Sequence, residues 1–221
     1  MKKILKNILI FLSYFIYDIL FKAILYAFNI NYYTLDIKNK IIYTIIIGVI
    51  YILILIFLYR KELKEELKDY KDNYKKYLSN NIIIYLIGVL LMGVSNIIIS
   101  KITHQSLAGN EEITRGLIKL YPIYMIYSSI IFAPLVEELI IRKSLKNILK
   151  FKYLFIILSG LIFGLLHISD YKDINEILFS IPYIIMGIDF AYIYYKTNNI
   201  FTTMTLHMCH NLILLIIQFI I

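Results

Sequence analysis

The chain has 221 residues, 60% of them apolar, a mean hydropathy of +0.75 and a formal net charge of +8. An average soluble domain is only about 45–50% apolar, so the composition excludes an ordinary water-soluble globule. The basic residues lie between apolar runs rather than on a soluble module with interleaved aromatics, which argues against a nucleic-acid partner.

An apolar run of about 17–25 residues fills one bilayer crossing. Seven crossings are predicted, at roughly 4–30, 41–59, 82–100, 120–141, 153–168, 176–194 and 198–221. Lipid cannot satisfy free backbone groups, and no period-two barrel pattern is present, so the fold class is an all-α, polytopic membrane helical bundle. The first run has a basic start, but it is too long for a signal peptide and no small-residue cleavage site closes it, so it reads as a retained anchor. Within it, Asp18 and Lys22 are four residues apart and suit an ion pair on one helix face.

Residues 60–81, "RKELKEELKDYKDNYKKYLSNN", mix seven basic with five acidic side chains and have the spacing of a solvated helix that leaves the membrane or links two halves. With the N-terminus in the cytoplasm, sixteen basic residues fall on the inner side and six on the outer, which predicts the C-terminus outside. Gly109 and Asn110 mark a turn before a short helix near Glu112. With no Trp in the chain, its 21 tyrosines must supply the interfacial belt. The single cysteine, Cys209, rules out an intrachain disulfide, and nothing near it in sequence would activate the thiol.

The fourth run contains "FAPLVEELIIR", with Glu137 and Glu138 side by side in otherwise apolar sequence. A carboxylate in hydrocarbon costs several kcal/mol unless paired, protonated or hydrated, so two of them require an explanation. Three runs carry pairs four residues apart: Glu138/Arg142, Phe163/His167 and His207/Asn211. Such pairs share a helix face, about 6 Å apart along the axis. Counting at 1.5 Å per residue from Lys150, Lys152 and Lys196 places Glu137, His167, His207 and Asn211 in one layer about 16–22 Å deep. That alignment requires the helix of Glu137 to continue to about Lys150, leaving Arg142, Lys143 and Lys146 at membrane depth, where they snorkel or line a wet cavity. Asp189, in the sixth run, is a candidate to neutralise Arg142 or Lys146 across it. Pro134 and Pro182 are expected to bend their helices.

The chemistry of such a layer is hydrolytic. A carboxylate and an imidazole sharing a water can take its proton as it attacks a carbonyl. A second imidazole and an amide can donate to the oxyanion that forms. The other assignment makes Glu137, His167 and His207 ligands of Zn²⁺, so the cofactor is either none or zinc; His210 is an extra candidate ligand. Each pair also has a plain structural reading: a helix ion pair for Glu138/Arg142, and hydrogen-bonding glue for His167 beside Gly160 and Gly164.

"EELIIR", "FGLLH" and "HMCHN" resemble the EExxxR, FxxxH and HxxxN/D motifs of the CAAX prenyl protease type II and bacteriocin-processing (Abi) family of intramembrane proteases, over about 125–215. The resemblance implies that Glu137 with His167 activates water, that His207 and Asn211 form the oxyanion hole, and that Glu138, Arg142 and Phe163 support the site or bind substrate. It further implies an endopeptidase acting on a membrane-associated peptide or protein, a prenylated CAAX tail being the family's best-known target. Residues 1–119 are then N-terminal membrane helices with the charged linker, and 120–221 the catalytic core, open to the cytoplasm. A noncatalytic member of the same fold, retained for bacteriocin self-immunity or scaffolding, is the alternative. A proton-coupled carrier uses similar side chains, but the runs show no inverted repeat.

Overall fold

A computed structural model describes residues 2–106 and 108–220. It is a helical membrane bundle of seven helices: α1 (Lys2–Ala27), α2 (Ile37–Thr103), α3 (Gly109–Leu120), α4 (Pro122–Ile148), α5 (Lys152–Leu165), α6 (Ile174–Thr197) and α7 (Ile200–Ile220). All but the short α3 and α5 are long and apolar enough to cross a membrane, and α5 is a shorter apolar helix.

The expected crossings at 41–59 and 82–100 are two parts of the single helix α2. Between Gly48 and Gly88 there is no Gly or Pro, and the charged stretch is rich in Lys, Glu and Leu, so nothing breaks the helical ladder. A straight rod of that length would run about 100 Å. The contacts require it to curve back instead. Gly48 abuts Phe132 of α4, while Met92 shares a recess with Ala133, the next residue along α4. In a straight helix Gly48 and Met92 would be roughly 66 Å apart. The charged middle of α2 therefore forms the bend, and its two apolar arms flank the same bundle.

That bend is pinned to the rest of the chain by Glu66. One of its carboxylate oxygens takes the Lys143 ammonium of α4, and the other accepts the backbone N–H of Ile200, the first residue of α7, at 2.9 Å. Asn199 donates from its side-chain amide to the Glu66 carbonyl at 2.7 Å and to the Asp69 carboxylate at 2.8 Å. Tyr77 and Asn73 also donate to Asp69, and these hydrogen bonds, led by the one from Tyr77, hold its carboxyl below the usual range. Lys146 reaches the Asn198 side chain at 2.8 Å and the Tyr194 carbonyl at 3.2 Å.

Helix α4 does continue past Arg142 to Ile148, as the depth argument requires. Arg142 and Lys143, however, do not line a wet cavity, while Lys146 is half-buried. Arg142 is fully buried, and Lys143 nearly so, with Glu66 as its partner. Asp189 neutralises neither Arg142 nor Lys146: it packs against Gly88 of α2. The Asp18–Lys22 pair forms, at 2.5 Å.

Two stretches of α4, Tyr127–Phe132 and Glu138–Ser144, are wound as π-helix, a form concentrated at functional sites. Pro134, which has no N–H to give the ladder, lies just after the first stretch. Helix α6 is interrupted at Phe179, next to the carbonyl of Leu178 that the Pro182 ring would otherwise meet. Helices α5 and α6 touch backbone to backbone: a Cβ on Gly164 would lie 2.8 Å from the Ile184 nitrogen, and one on Gly160 would lie 2.9 Å from that of Ile188. Small residues permit this approach.

Two outcomes follow for stability. Glu66→Ala strands the buried Lys143 ammonium and frees the start of α7; a loss of about 3–5 kcal/mol is expected, read as a lowered melting temperature in detergent, with partial recovery in Glu66→Ala/Lys143→Met. Gly164→Val forces α5 from α6 and is expected to cost at least about 1–3 kcal/mol in the same assay.

Candidate active site

The two glutamates of α4 face different surroundings. Glu138 is wholly buried, with Oε1 accepting from Nδ1 of His207 on α7 at 3.1 Å and lying 3.6 Å from Nε of Arg142. The Arg142 guanidinium is also wholly buried and lies over the Phe163 ring of α5, 4.3 Å from its centroid. Phe190 of α6 forms a second aromatic wall at 5.8 Å. None of the guanidinium nitrogens has a hydrogen-bond partner, so charge attraction and ring faces hold the group in place.

Glu137 turns into a recess, with about 70 Å³ of room for water-sized molecules, together with Phe163, His167, Tyr183, His207 and Asn211. Its side chain is 12% exposed, and Oε2 lies 3.8 Å from Nε2 of His207 without a hydrogen-bond partner. His207 thus has a carboxylate at each nitrogen. With the Glu138 carboxylate as acceptor, Nδ1 is the donor, and Nε2 is left facing Glu137. The ring stacks on Phe190, with centroids 5.0 Å apart.

His167 lies two residues beyond the end of α5, not on the helix to 168 expected from hydropathy. Its Nδ1 donates to the Phe163 carbonyl at 2.7 Å, so the four-residue spacing is realised through the backbone of Phe163. A carbonyl only accepts, so the hydrogen sits on Nδ1 and Nε2 keeps the free lone pair. Asn211 donates from Nδ2 to the Ser129 carbonyl at 2.8 Å, leaving one amide hydrogen uncommitted.

The structure thus brings Glu137, His167, His207 and Asn211 to one recess, with Phe163 in its wall and Glu138 and Arg142 behind it. Three residues that the pairs did not indicate also matter. Tyr183 stacks on His167 with centroids 4.3 Å apart, Phe190 stacks on His207, and Tyr85 of α2 lies with its hydroxyl 3.2 Å from Nδ1 of His210. Tyr183, Met186 and Phe190 are spaced three and four apart and share one face of α6, which is the available sequence signal. His210 lines the recess as well.

A zinc ion needs ligand atoms converging at about 2.0–2.2 Å on one point. Among the described residues, no group of three or more His, Cys, Asp or Glu has that arrangement. Glu137, His167 and His207 do not form such a group as placed, although Nε2 of His207, with Nδ1 donating to Glu138, is the nitrogen a metal would take.

Residues 119–213 match the family described as Type II CAAX prenyl endopeptidase Rce1-like. A Bacillus subtilis protein named "Putative membrane peptidase YdiL" is 31% identical over 112 residues, 49% of this chain and 43% of that protein. An "Uncharacterized protein" of Mycoplasma capricolum is 30% identical over 178 residues, 73% of this chain and 51% of that one. The matches thus span about half or less of these relatives' own lengths. No solved structure matches the chain. The matched stretch holds every residue of the three motifs, and over residues 119–213 the chain is similar to the type II CAAX prenyl endopeptidase family.

Proposed function

We propose that the protein is an endopeptidase that hydrolyses a peptide bond in a membrane-associated peptide or protein, a prenylated CAAX tail being one candidate. The observation that supports this most is the sharing of one recess by Glu137, His167, His207 and Asn211, with Oε2 of Glu137 3.8 Å from Nε2 of His207.

In this reading a water sits between Glu137 and His167. One hydrogen points to the Glu137 carboxylate and the other to the lone pair on Nε2 of His167. As the water oxygen attacks the carbonyl carbon, Glu137 takes the proton, and the carbonyl oxygen becomes an oxyanion. The free amide hydrogen of Asn211, and Nε2–H of a doubly protonated His207, donate to that oxyanion. Glu137 then passes its proton to the amine nitrogen as the C–N bond breaks. Charge balance holds at each step, and no metal-bound species is needed.

Glu138 and Arg142 do not touch the reacting atoms in this scheme. They hold His207 by its Nδ1 and Phe163 by its ring face. Residues 120–221 supply the reacting groups, while the N-terminal 1–119 contribute Met92 to the wall of the recess. The excess of basic residues on one side supports an N-terminus in the cytoplasm and a site served from that side.

The test is purified protein with a prenylated CAAX peptide and an unprenylated membrane-tethered one, with and without chelator, read by mass spectrometry. Cleavage that survives chelation is expected, and cleavage abolished by chelation and restored by zinc would overturn the metal-free scheme. Glu137→Gln, which is nearly isosteric, is expected to lower kcat by about 10²–10⁴-fold with unchanged melting. Full activity in that variant would remove Glu137 from the role of base. Asn211→Ala is expected to lower kcat by about 10²–10³-fold with little change in KM, measured on the same peptide.

A further inference from the structure

Between α1 and the first arm of α2 lies an apolar groove of about 540 Å³. Its floor includes Ile10, Ser13, Tyr17, Tyr51 and Leu55, and its rim includes Leu9 and Ile54, both about half exposed. The Ser13 and Tyr51 hydroxyls in the floor satisfy each other. Ser13 donates to the Ile10 carbonyl at 2.6 Å and lies 2.7 Å from the Tyr51 hydroxyl, while Tyr17 stacks on Tyr51 with centroids 4.4 Å apart. Hydrocarbon can therefore lie over Ser13 and Tyr51 without stranding either hydroxyl.

The groove adjoins at one end a second, polar recess of about 250 Å³ lined by Lys6, Leu58, Tyr59, Arg60, Lys61 and Glu62. Lys6 and Leu58 belong to both. The Lys6 ammonium is fixed at this junction by a 2.6 Å hydrogen bond to the Leu58 carbonyl and by the Tyr59 ring, 4.8 Å from its centroid. Two of its hydrogens remain free. Arg60 uses one N–H on the Phe57 carbonyl and keeps the others. Against these three cations stands the single Glu62 carboxylate, so the mouth has an excess of positive charge.

An apolar channel ending in a cationic mouth matches one chemical class, an amphiphile with an anionic head. From Lys6 to Ile16 the groove runs about 15 Å, the depth of one leaflet's hydrocarbon. We propose that this groove is a binding site for one anionic phospholipid, its phosphate at Lys6, Arg60 and Lys61 and its acyl chains along Ile10, Ser13 and Tyr17. The site is independent of the proteolytic reading. A lipid held there adds to the contacts that tie α1 to the first arm of α2, which include Lys6–Leu58, Asn7–Tyr59, Ser13–Tyr51 and Tyr17–Tyr51.

The test is native mass spectrometry of the purified full chain in detergent, titrated with phosphatidylglycerol or with phosphatidylcholine of the same acyl chains. The wild type is expected to hold one phosphatidylglycerol at least about tenfold more tightly. Lys6→Gln/Arg60→Gln/Lys61→Gln is expected to lose that preference, at about fivefold per charge removed. Leu9→Trp/Ile54→Trp, which fills the groove from its exposed rim, is expected to lose both lipids while melting as the wild type does without lipid. Glycerol phosphate, a head without tails, is expected not to compete. Equal retention of the two lipids, an unchanged preference in the triple variant, displacement by glycerol phosphate, or a second protein chain occupying the groove would each overturn the proposal.

Discussion

The arrangement of the core depends on one buried charge. Glu138 has no contact with solvent, and a carboxylate in that position costs several kcal/mol unless its charge is met. Arg142 meets it from one turn along α4, and His207 from α7. Arg142 in turn needs surroundings that tolerate a guanidinium without hydrogen-bond acceptors, and the faces of Phe163 and Phe190 provide them. Four helices are thus gathered around one carboxylate. A helix turns by about 100° per residue, so satisfying Glu138 inside the bundle directs its neighbour Glu137 elsewhere, and that direction is the recess. The adjacent glutamates are therefore different in kind, one wholly buried with Oε1 held by His207 and Arg142, the other partly exposed and facing the recess.

A second set of contacts fixes depth. Glu66 binds both Lys143 of α4 and the first N–H of α7, so these two helices share an anchor at the charged end of the bundle. Counted from that anchor, Glu138 is five residues into α4 and His207 is seven residues into α7, or about 8 and 11 Å along straight helices. The π-helical winding from Glu138 to Ser144 shortens the rise per residue and reorients side chains on α4, and it occupies the very stretch in which this alignment is set. The polar layer follows from the anchor and the winding together.

Part of this was legible in the residues. The four-residue spacings of Glu138/Arg142, Phe163/His167 and His207/Asn211 marked three faces, and counting from basic residues put them at one depth, because rise per residue is nearly constant in helices. Helical continuity through residues 60–81 was also legible, since the absence of Gly and Pro from 49 to 87 leaves no stop signal. The curvature of that helix was not: it is imposed by Glu66 and Asp69 binding partners more than 75 residues away, which no local pattern encodes. The expectation that Arg142 would line water failed for the same reason. Its aromatic cover comes from Phe163 and Phe190 on two other helices. His167 kept its link to Phe163 although α5 ends before it, because the contact passes through a backbone carbonyl that accepts from the ring in a turn as readily as on a helix.

The dimensions of the recess constrain what the proposed hydrolysis can act on. A helix 10–12 Å across with a 5.4 Å pitch occupies about 500 Å³ per turn, far more than the roughly 70 Å³ of room that Glu137, His167, His207 and their neighbours leave for water-sized molecules. A substrate cannot present its scissile bond there from within an intact helix. The bond must come in extended chain, where the carbonyl is free of intrahelical hydrogen bonds and open to the donors on Asn211 and His207. In a bilayer a free extended segment carries unsatisfied backbone groups, so such a segment belongs near the end of a membrane anchor rather than in its middle. Under the proposed function, the size of the site would favour a bond close to where the chain leaves the lipid, which a peptide tethered by a terminal lipid chain presents without any helix to unwind.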